Sequence, residues 1–294
     1  MPGRCWMSRP GWAMHLVVAL PFVWLAVFFL LPFALVLAIA LGSNAPDLAP
    51  PVELGFSLQN FALLLTDDLY VAAWLSSLRI AATATVGTLL LGYPMAYAIA
   101  RAGPRWRPIL LMLVILPFWT SFLIRVYAWI GVLANNGLLE QFLRWLGFVH
   151  PPETILGTEW AVQLGIVYAY LPFMVLPLYA ALEKLDRRLL EAAADLGASP
   201  WRAFTSVTLP LSLRGIVAGI IMVFVPSLGD YVTPDLLGGA KTMFIGNLIQ
   251  NQFLTVRDWA FGSAVSTILI LIVAVAIVIY LKYGESSQVD VKPA

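Results

Sequence analysis

The chain has 294 residues, of which 61% are hydrophobic and 11% charged, with 17 Lys and Arg against 16 Asp and Glu for a net charge of +1. A soluble globule could not bury the apolar surface implied by a mean hydropathy of +0.88, and a disordered chain would be far more polar. The charge balance holds no basic excess for nucleic acid, so a polytopic membrane protein remains.

Six apolar runs are long enough to cross a bilayer as helices: 16–41, 72–100, 109–134, 160–182, 215–237 and 259–283. They are continuous, which argues against the alternating pattern of a barrel. The first run follows Arg4 and Arg9, and Ala38-Ile39-Ala40 resembles a cleavage site. It is nevertheless much longer than the apolar part of a signal peptide, and is read as a retained helix. Cys5 is the only thiol, and His15 and His150 are the only imidazoles. That composition predicts no disulfide framework and no metal site.

Basic residues orient the bundle. With the N-terminus inside, the cytoplasmic segments hold Arg4, Arg9, Arg101, Arg105, Arg107, Lys184, Arg187, Arg188, Arg202, Arg214, Lys282 and Lys292, which is 12 of the 17 Lys and Arg. The outer segments hold Arg144, Lys241 and Arg257, while Arg79 and Arg125 fall inside spans. Both termini are therefore placed in the cytoplasm. The external loop at 44–70 carries Asp47, Glu53, Asp67 and Asp68 without a basic residue. The loop at 135–159 holds the turn signal Asn135-Asn136-Gly137 and the helix stop Pro151-Pro152. No segment outside the spans is long enough for a catalytic domain.

The internal loop at about 183–214 is the most informative stretch. Good helix formers run from Asp186 to Leu196, Gly197 stands where a helix closes in a left-handed residue, and Ser199-Pro200 opens a second helix. Leu209-Pro210 is expected to end that second helix. Leu189, Ala193 and Leu196 share one face, and Glu191 and Asp195 another. The pattern describes a stiff pair of short helices at the inner membrane surface.

Here the chain resembles a known family. Glu191-Ala192-Ala193, then Gly197, then Leu209-Pro210 are similar to the EAA loop of permease subunits of bacterial ABC importers. The segments 116–129, 170–179, 236–241 and 257–259 resemble spermidine/putrescine permeases, closest to the first permease of a putrescine system. The resemblance implies an all-α, six-helix type I ABC importer permease of the bacterial inner membrane. It implies a cytoplasmic segment at 1–15, a permease domain at 16–283 and a cytoplasmic tail at 284–294. It further implies a second homologous permease, two cytoplasmic ATPase subunits that bind ATP and Mg, and a periplasmic solute-binding protein, with membrane lipid around the bundle. Coupling to the ATPase falls to Glu191, Ala192, Ala193, Asp195, Gly197 and Pro210. The chain itself has no cofactor and is not an enzyme, because it lacks a phosphate-binding loop: Gly239-Ala240-Lys241-Thr242 mimics only the tail of one.

Ionisable residues inside spans are candidates for the solute path. Arg125 lies 16 residues into the third run, about 24 Å from its inner edge, and Asp230 lies at similar depth beyond Arg214. They either pair with each other or Asp230 attracts an ammonium group, with Trp119, Tyr127 and Tyr231 offering aromatic faces. Prolines 21, 32, 94, 117, 172, 177 and 226 are expected to interrupt the spans, as in a bundle that opens and closes. Alternatives stay open: the same architecture for an amino-acid derivative or organic anion, an ion-coupled secondary transporter, or a membrane-embedded enzyme, although H-E-x-x-H and G-x-S-x-G are absent.

Overall fold

A computed structural model describes residues 11–147, 154–239 and 243–284. Arg4, Cys5, Arg9, His150, Pro151-Pro152, the 240–242 segment and the tail after 284 lie outside the described residues. Six helical stretches are long and apolar enough to cross a membrane. Four are single helices that fit the expected runs: α1 (Gly11–Ala40), α3 (Asp68–Arg101), α7 (Glu159–Glu183) and α13 (Trp259–Gly284). Helix continues through Pro21, Pro32, Pro94, Pro172, Pro177 and Pro226. Each of these prolines removes one N–H without ending its helix.

The third span differs from the single run expected at 109–134. Helix α4 (Arg107–Ile115) tightens into a 3-10 turn at Leu116–Trp119, and Thr120 and Ser121 are extended. Helix α5 (Phe122–Leu133) then restarts, followed by the short α6 (Leu138–Trp145). Pro117 has no N–H to give the ladder, and the Thr120 hydroxyl donates to the Pro117 carbonyl at 2.7 Å. At 12 residues α5 is about 18 Å long, too short to cross a hydrocarbon layer by itself.

The fifth span is displaced from the expected 215–237. Helix starts at α9 (Pro200–Ala203), passes through a π-helical turn at Phe204–Thr208, and continues as α10 (Leu209–Gly229). Leu209-Pro210 therefore does not end the second helix of the inner loop, which is a correction to the sequence reading. The physical reason lies in the wider turn just before it, which takes up the break that a proline without an N–H makes in the ladder. Arg214 sits well inside this helix. At the far end α10 stops at Gly229, and a separate short helix α11 (Val232–Leu237) follows. Helix α12 (Ile245–Asn251) and a second π-helical turn at Gln252–Val256 lead to α13.

Helix α7 is the hub, packed along α3 on one side and α10 on the other. One core layer joins Ile80, Ala84, Val126, Val162, Ile166 and Leu237, and a second joins Ala96, Met174, Leu178, Ile216 and Val223. Small residues permit the close crossings: a Cβ on Gly215 would lie 2.6 Å from the Ala181 Cβ and 2.8 Å from the Pro177 carbonyl. Helix α1 touches mainly α13 and leaves Val17, Phe22, Trp24 and Phe29 more than 60% exposed. A helix apolar all round belongs in lipid or against another apolar chain. The outer loop adds the pair β1 (Ser43–Asn44) and β2 (Val52–Glu53) and α2 (Gln59–Thr66). Asn60 Nδ2 caps α1 by donating to the Ala40 and Gly42 carbonyls, each at 3.0 Å.

Gly215→Val drives a branched side chain into the α7–α10 crossing. Overpacking of this kind costs about 1–3 kcal/mol, and the thermal unfolding midpoint of the purified variant is expected to fall. Gly55, which has nothing within 4 Å of its built Cβ, is the control: Gly55→Ala should leave that midpoint unchanged.

Candidate functional site

The inner loop forms a rigid elbow. Asp186 caps α8 (Arg187–Asp195), its Oδ1 accepting from the Arg188 N–H at 2.9 Å. Gly197 closes the helix at φ +80°: its N–H donates to the Ala194 carbonyl at 2.9 Å and the Ala198 N–H to the Ala193 carbonyl at 3.0 Å. That double closure satisfies two carbonyls that would otherwise be orphaned, and only glycine takes the required φ without strain. Ser199 caps the next helix from the Arg202 N–H, with Pro200 in its first turn. Glu191, Ala192 and Asp195 are exposed, and Ala193 is half-buried. Leu196 is 89% exposed and Trp201 73%, so the elbow presents apolar and acidic groups outward together. Pro210 is not part of this tip; it lies beyond the π-helical turn, early in α10.

The second feature is the break in the third span. The Arg125 guanidinium reaches back across it, Nη1 donating to the Pro117 carbonyl at 2.9 Å. Its Cζ lies 4.8 Å from the Phe118 ring centroid and 5.8 Å from that of Phe122. The positive charge is met by a carbonyl and two aromatic faces. Among the described residues, the ion pairs are Arg79–Glu159, Arg107–Glu183 and Arg144–Glu140, so Arg125 and Asp230 are not an ion pair. Arg79, counted above as a charge within a span, meets Glu159 at the first residue of α7.

Asp230 sits at the joint between α10 and α11 and is only 9% exposed. Its Oδ1 accepts from the Val232 N–H at 3.1 Å and the Thr233 N–H at 3.3 Å. Its Oδ2 accepts from the Thr233 hydroxyl at 2.6 Å and the Tyr170 hydroxyl at 3.5 Å. The carboxylate is thus occupied in starting α11. Behind it Gly246 lets α12 approach: a Cβ there would lie 2.7 Å from the Asp230 carbonyl oxygen.

The three aromatic residues expected on the path are all exposed. Trp119 is 73% exposed beside the break, Tyr127 is exposed on α5, and Tyr231 is exposed at the start of α11. Sequence reading missed Asp235, an exposed carboxylate one turn beyond Tyr231 that accepts from Asn247 Nδ2 at 3.4 Å. Only Asp230 stood out in the sequence, because depth along a presumed continuous span was the signal used. The motif Tyr231-Val232-Thr233-Pro234-Asp235 carries a helix-opening pattern that places Asp235 outward. Among the described residues no cluster of three or more His, Cys, Asp or Glu could hold a metal ion.

Broken spans around a hub helix, with a capped elbow at the basic end, define a membrane-embedded transport subunit. The family described as "Binding-protein-dependent transport system inner membrane component" matches residues 88–283, and the chain belongs to that family. It is 45% identical over 257 residues to the spermidine/putrescine transport system permease protein PotB of Salmonella typhimurium, covering 87% of this chain and 88% of that protein. The corresponding Escherichia coli protein is 44% identical over 87% of this chain and 92% of its own length. The inner membrane ABC transporter permease protein YdcU of Escherichia coli is 35% identical over 71% of each. A crystal structure of a bacterial ABC transporter that imports alginate has a chain superposing with a TM-score of 0.64 at 19% identity, over 94% of this chain and 96% of that one. The chain is therefore an inner membrane permease, has the ABC importer permease fold, and leaves ATP hydrolysis and solute capture to an ATPase and a periplasmic binding protein.

The cap at Asp230 generates a direct expectation. Asp230→Ala removes the acceptor of four donor groups and costs the start of α11 about 0.5–2 kcal/mol. Asp230→Asn keeps one side-chain oxygen for the two amides. Hydrogen exchange at Val232 and Thr233 should accelerate strongly in the alanine variant and little in the asparagine variant.

Proposed function

We propose that the chain is the permease through which an ABC importer moves a polyamine, putrescine or spermidine, from periplasm to cytoplasm. The observation that carries the solute class is the likeness over nearly nine-tenths of the chain to relatives named as spermidine/putrescine permeases. In the assembly a second homologous permease completes the path and two ATPase subunits sit on the cytoplasmic face.

The region at 183–214 is the handle of that machine. Its tip, around Glu191, Ala192, Ala193, Asp195 and Gly197, docks in a groove of the ATPase, and Leu196 and Trp201 supply apolar contact. Closing the ATPase pushes on the elbow, and α9, the π-helical turn and α10 carry the displacement into the bundle as one helix. Helix end, cap and glycine closure make the tip stiff, so motion is passed on instead of being absorbed. Pro210 acts in the shaft of this lever, at the π-helical turn.

On the path side, Tyr231 and Asp235 face outward from α11, while Trp119 and Tyr127 face outward from the broken third span. Aromatic faces and an open carboxylate stabilise a partly desolvated ammonium. Asp230 acts from behind, holding α11 in place. Arg125 holds the two halves of the third span together.

The experiment is uptake of radiolabelled putrescine and spermidine into proteoliposomes holding the assembled transporter, with binding protein outside and ATP inside. ATP-dependent accumulation of either polyamine is expected. Accumulation of neither, with another small solute taken up instead, overturns the solute assignment. Gly197→Val forces a branched residue into a left-handed φ. It should leave the chain inserted and the ATPase active while uptake falls at least about tenfold, equivalent to about 1.4 kcal/mol of lost coupling.

A further inference from the structure

A cleft of ≈ 570 Å³ opens between the cytoplasmic ends of α7 and α10 and the base of α8. Its α7 wall is Pro177, Ala181 and Lys184, which share one helix face; its α10 wall includes Arg214 and Ala218. The close approach of the two helices at Gly215 and Ala181 lies in the same cleft, and Leu185, Asp186 and Leu189 close its side toward α8.

We infer that this cleft is a binding site for one anionic phospholipid of the inner leaflet. The phosphate sits at the rim beside Lys184 and Arg214, and part of one acyl chain lies against the apolar walls. Three observations carry it. The first is the mixed lining: the walls are mainly alanine, leucine and proline, while the rim has two cations and one acid, Asp186, whose carboxylate already caps α8. The second is depth. Lys184 is the residue that closes α7, so the cations lie where that helix leaves the membrane, on the side that the charge distribution places in the cytoplasm. Basic pockets between spans at that level match the anionic headgroups of the cytoplasmic leaflet. The third is chemical economy: a free phosphate would have no use for the apolar wall, and a neutral lipid none for the cations.

A lipid held there would brace the root of the elbow, because Asp186 and Leu189 of the α8 segment line the same cleft as α7 and α10. This site is independent of which solute the transporter carries.

The test uses the complete transporter in nanodiscs made of phosphatidylglycerol or of phosphatidylcholine, with bound lipid counted by native mass spectrometry. The wild type is expected to retain phosphatidylglycerol selectively. Lys184→Gln should weaken that retention about fivefold, as removal of one cation near a charged surface does, and Ala180→Phe should abolish it by filling the cleft. Equal retention by wild type and Lys184→Gln overturns the inference. So does quantitative crosslinking of an Ala180→Cys variant to the second permease or the ATPase in phosphatidylglycerol membranes, because the cleft is then a protein interface. If Ala180→Phe fails to assemble, the charge variant alone decides.

Discussion

A backbone amide or carbonyl inside a bilayer has no water to turn to, and each place where this chain leaves the regular helix ladder is built around that constraint. At the third-span break, the Pro117 carbonyl accepts from the Thr120 hydroxyl and the Arg125 guanidinium. At the end of α10, Asp230 takes the first amides of α11. Ahead of Pro210 and ahead of α13, π-helical turns absorb the irregularity. The Ala40 and Gly42 carbonyls at the end of α1 are met by Asn60. The side chains that look exceptional in an apolar sequence are largely those that serve these breaks.

The same constraint separates two kinds of element. Helices α3, α7 and α10 pack through small residues into a stiff hub. The broken third span and the α11 segment are short, held by a few polar contacts, and rest on that hub through Val126, Thr233 and Leu237. A transporter needs this division, since a force applied at one end must arrive undiminished while the solute path changes shape. The elbow at α8 and α9 has caps at both of its helix starts and a glycine closure between them.

Much of this was legible in the sequence. Spans with uninterrupted apolar runs came out within a few residues, because length and hydropathy alone settle them. The elbow was legible down to Gly197 and Ser199, since caps and left-handed closures are local events, although the cap at Asp186 was not. What failed was non-local. The third run reads as one helix because no charge separates Leu116 to Ser121 from its apolar flanks, and the contacts from Thr120 and Arg125 to the Pro117 carbonyl that stabilise the broken arrangement are not visible in hydropathy. Leu209-Pro210 reads as a stop because a π-helical turn has no signature in composition. Asp230 reads either as a partner of Arg125 or as a charge facing the path, because the end of α10 that turns its carboxylate onto the Val232 and Thr233 amides is hidden inside a continuous apolar run.

By itself the sequence determined that the chain lives in a membrane, that it holds six spans, and where a capped pair of short helices interrupts them. These follow from transfer free energies and local backbone chemistry, which act within a turn or two of each residue. The tertiary structure alone decided which charges are spent and which remain open: Arg79 on Glu159, Arg125 on the Pro117 carbonyl, Asp230 on α11, with Asp235 still facing out. The reason is that the worth of a charge in a membrane depends on its partner, and partners are brought together by helix packing across the whole length of the chain.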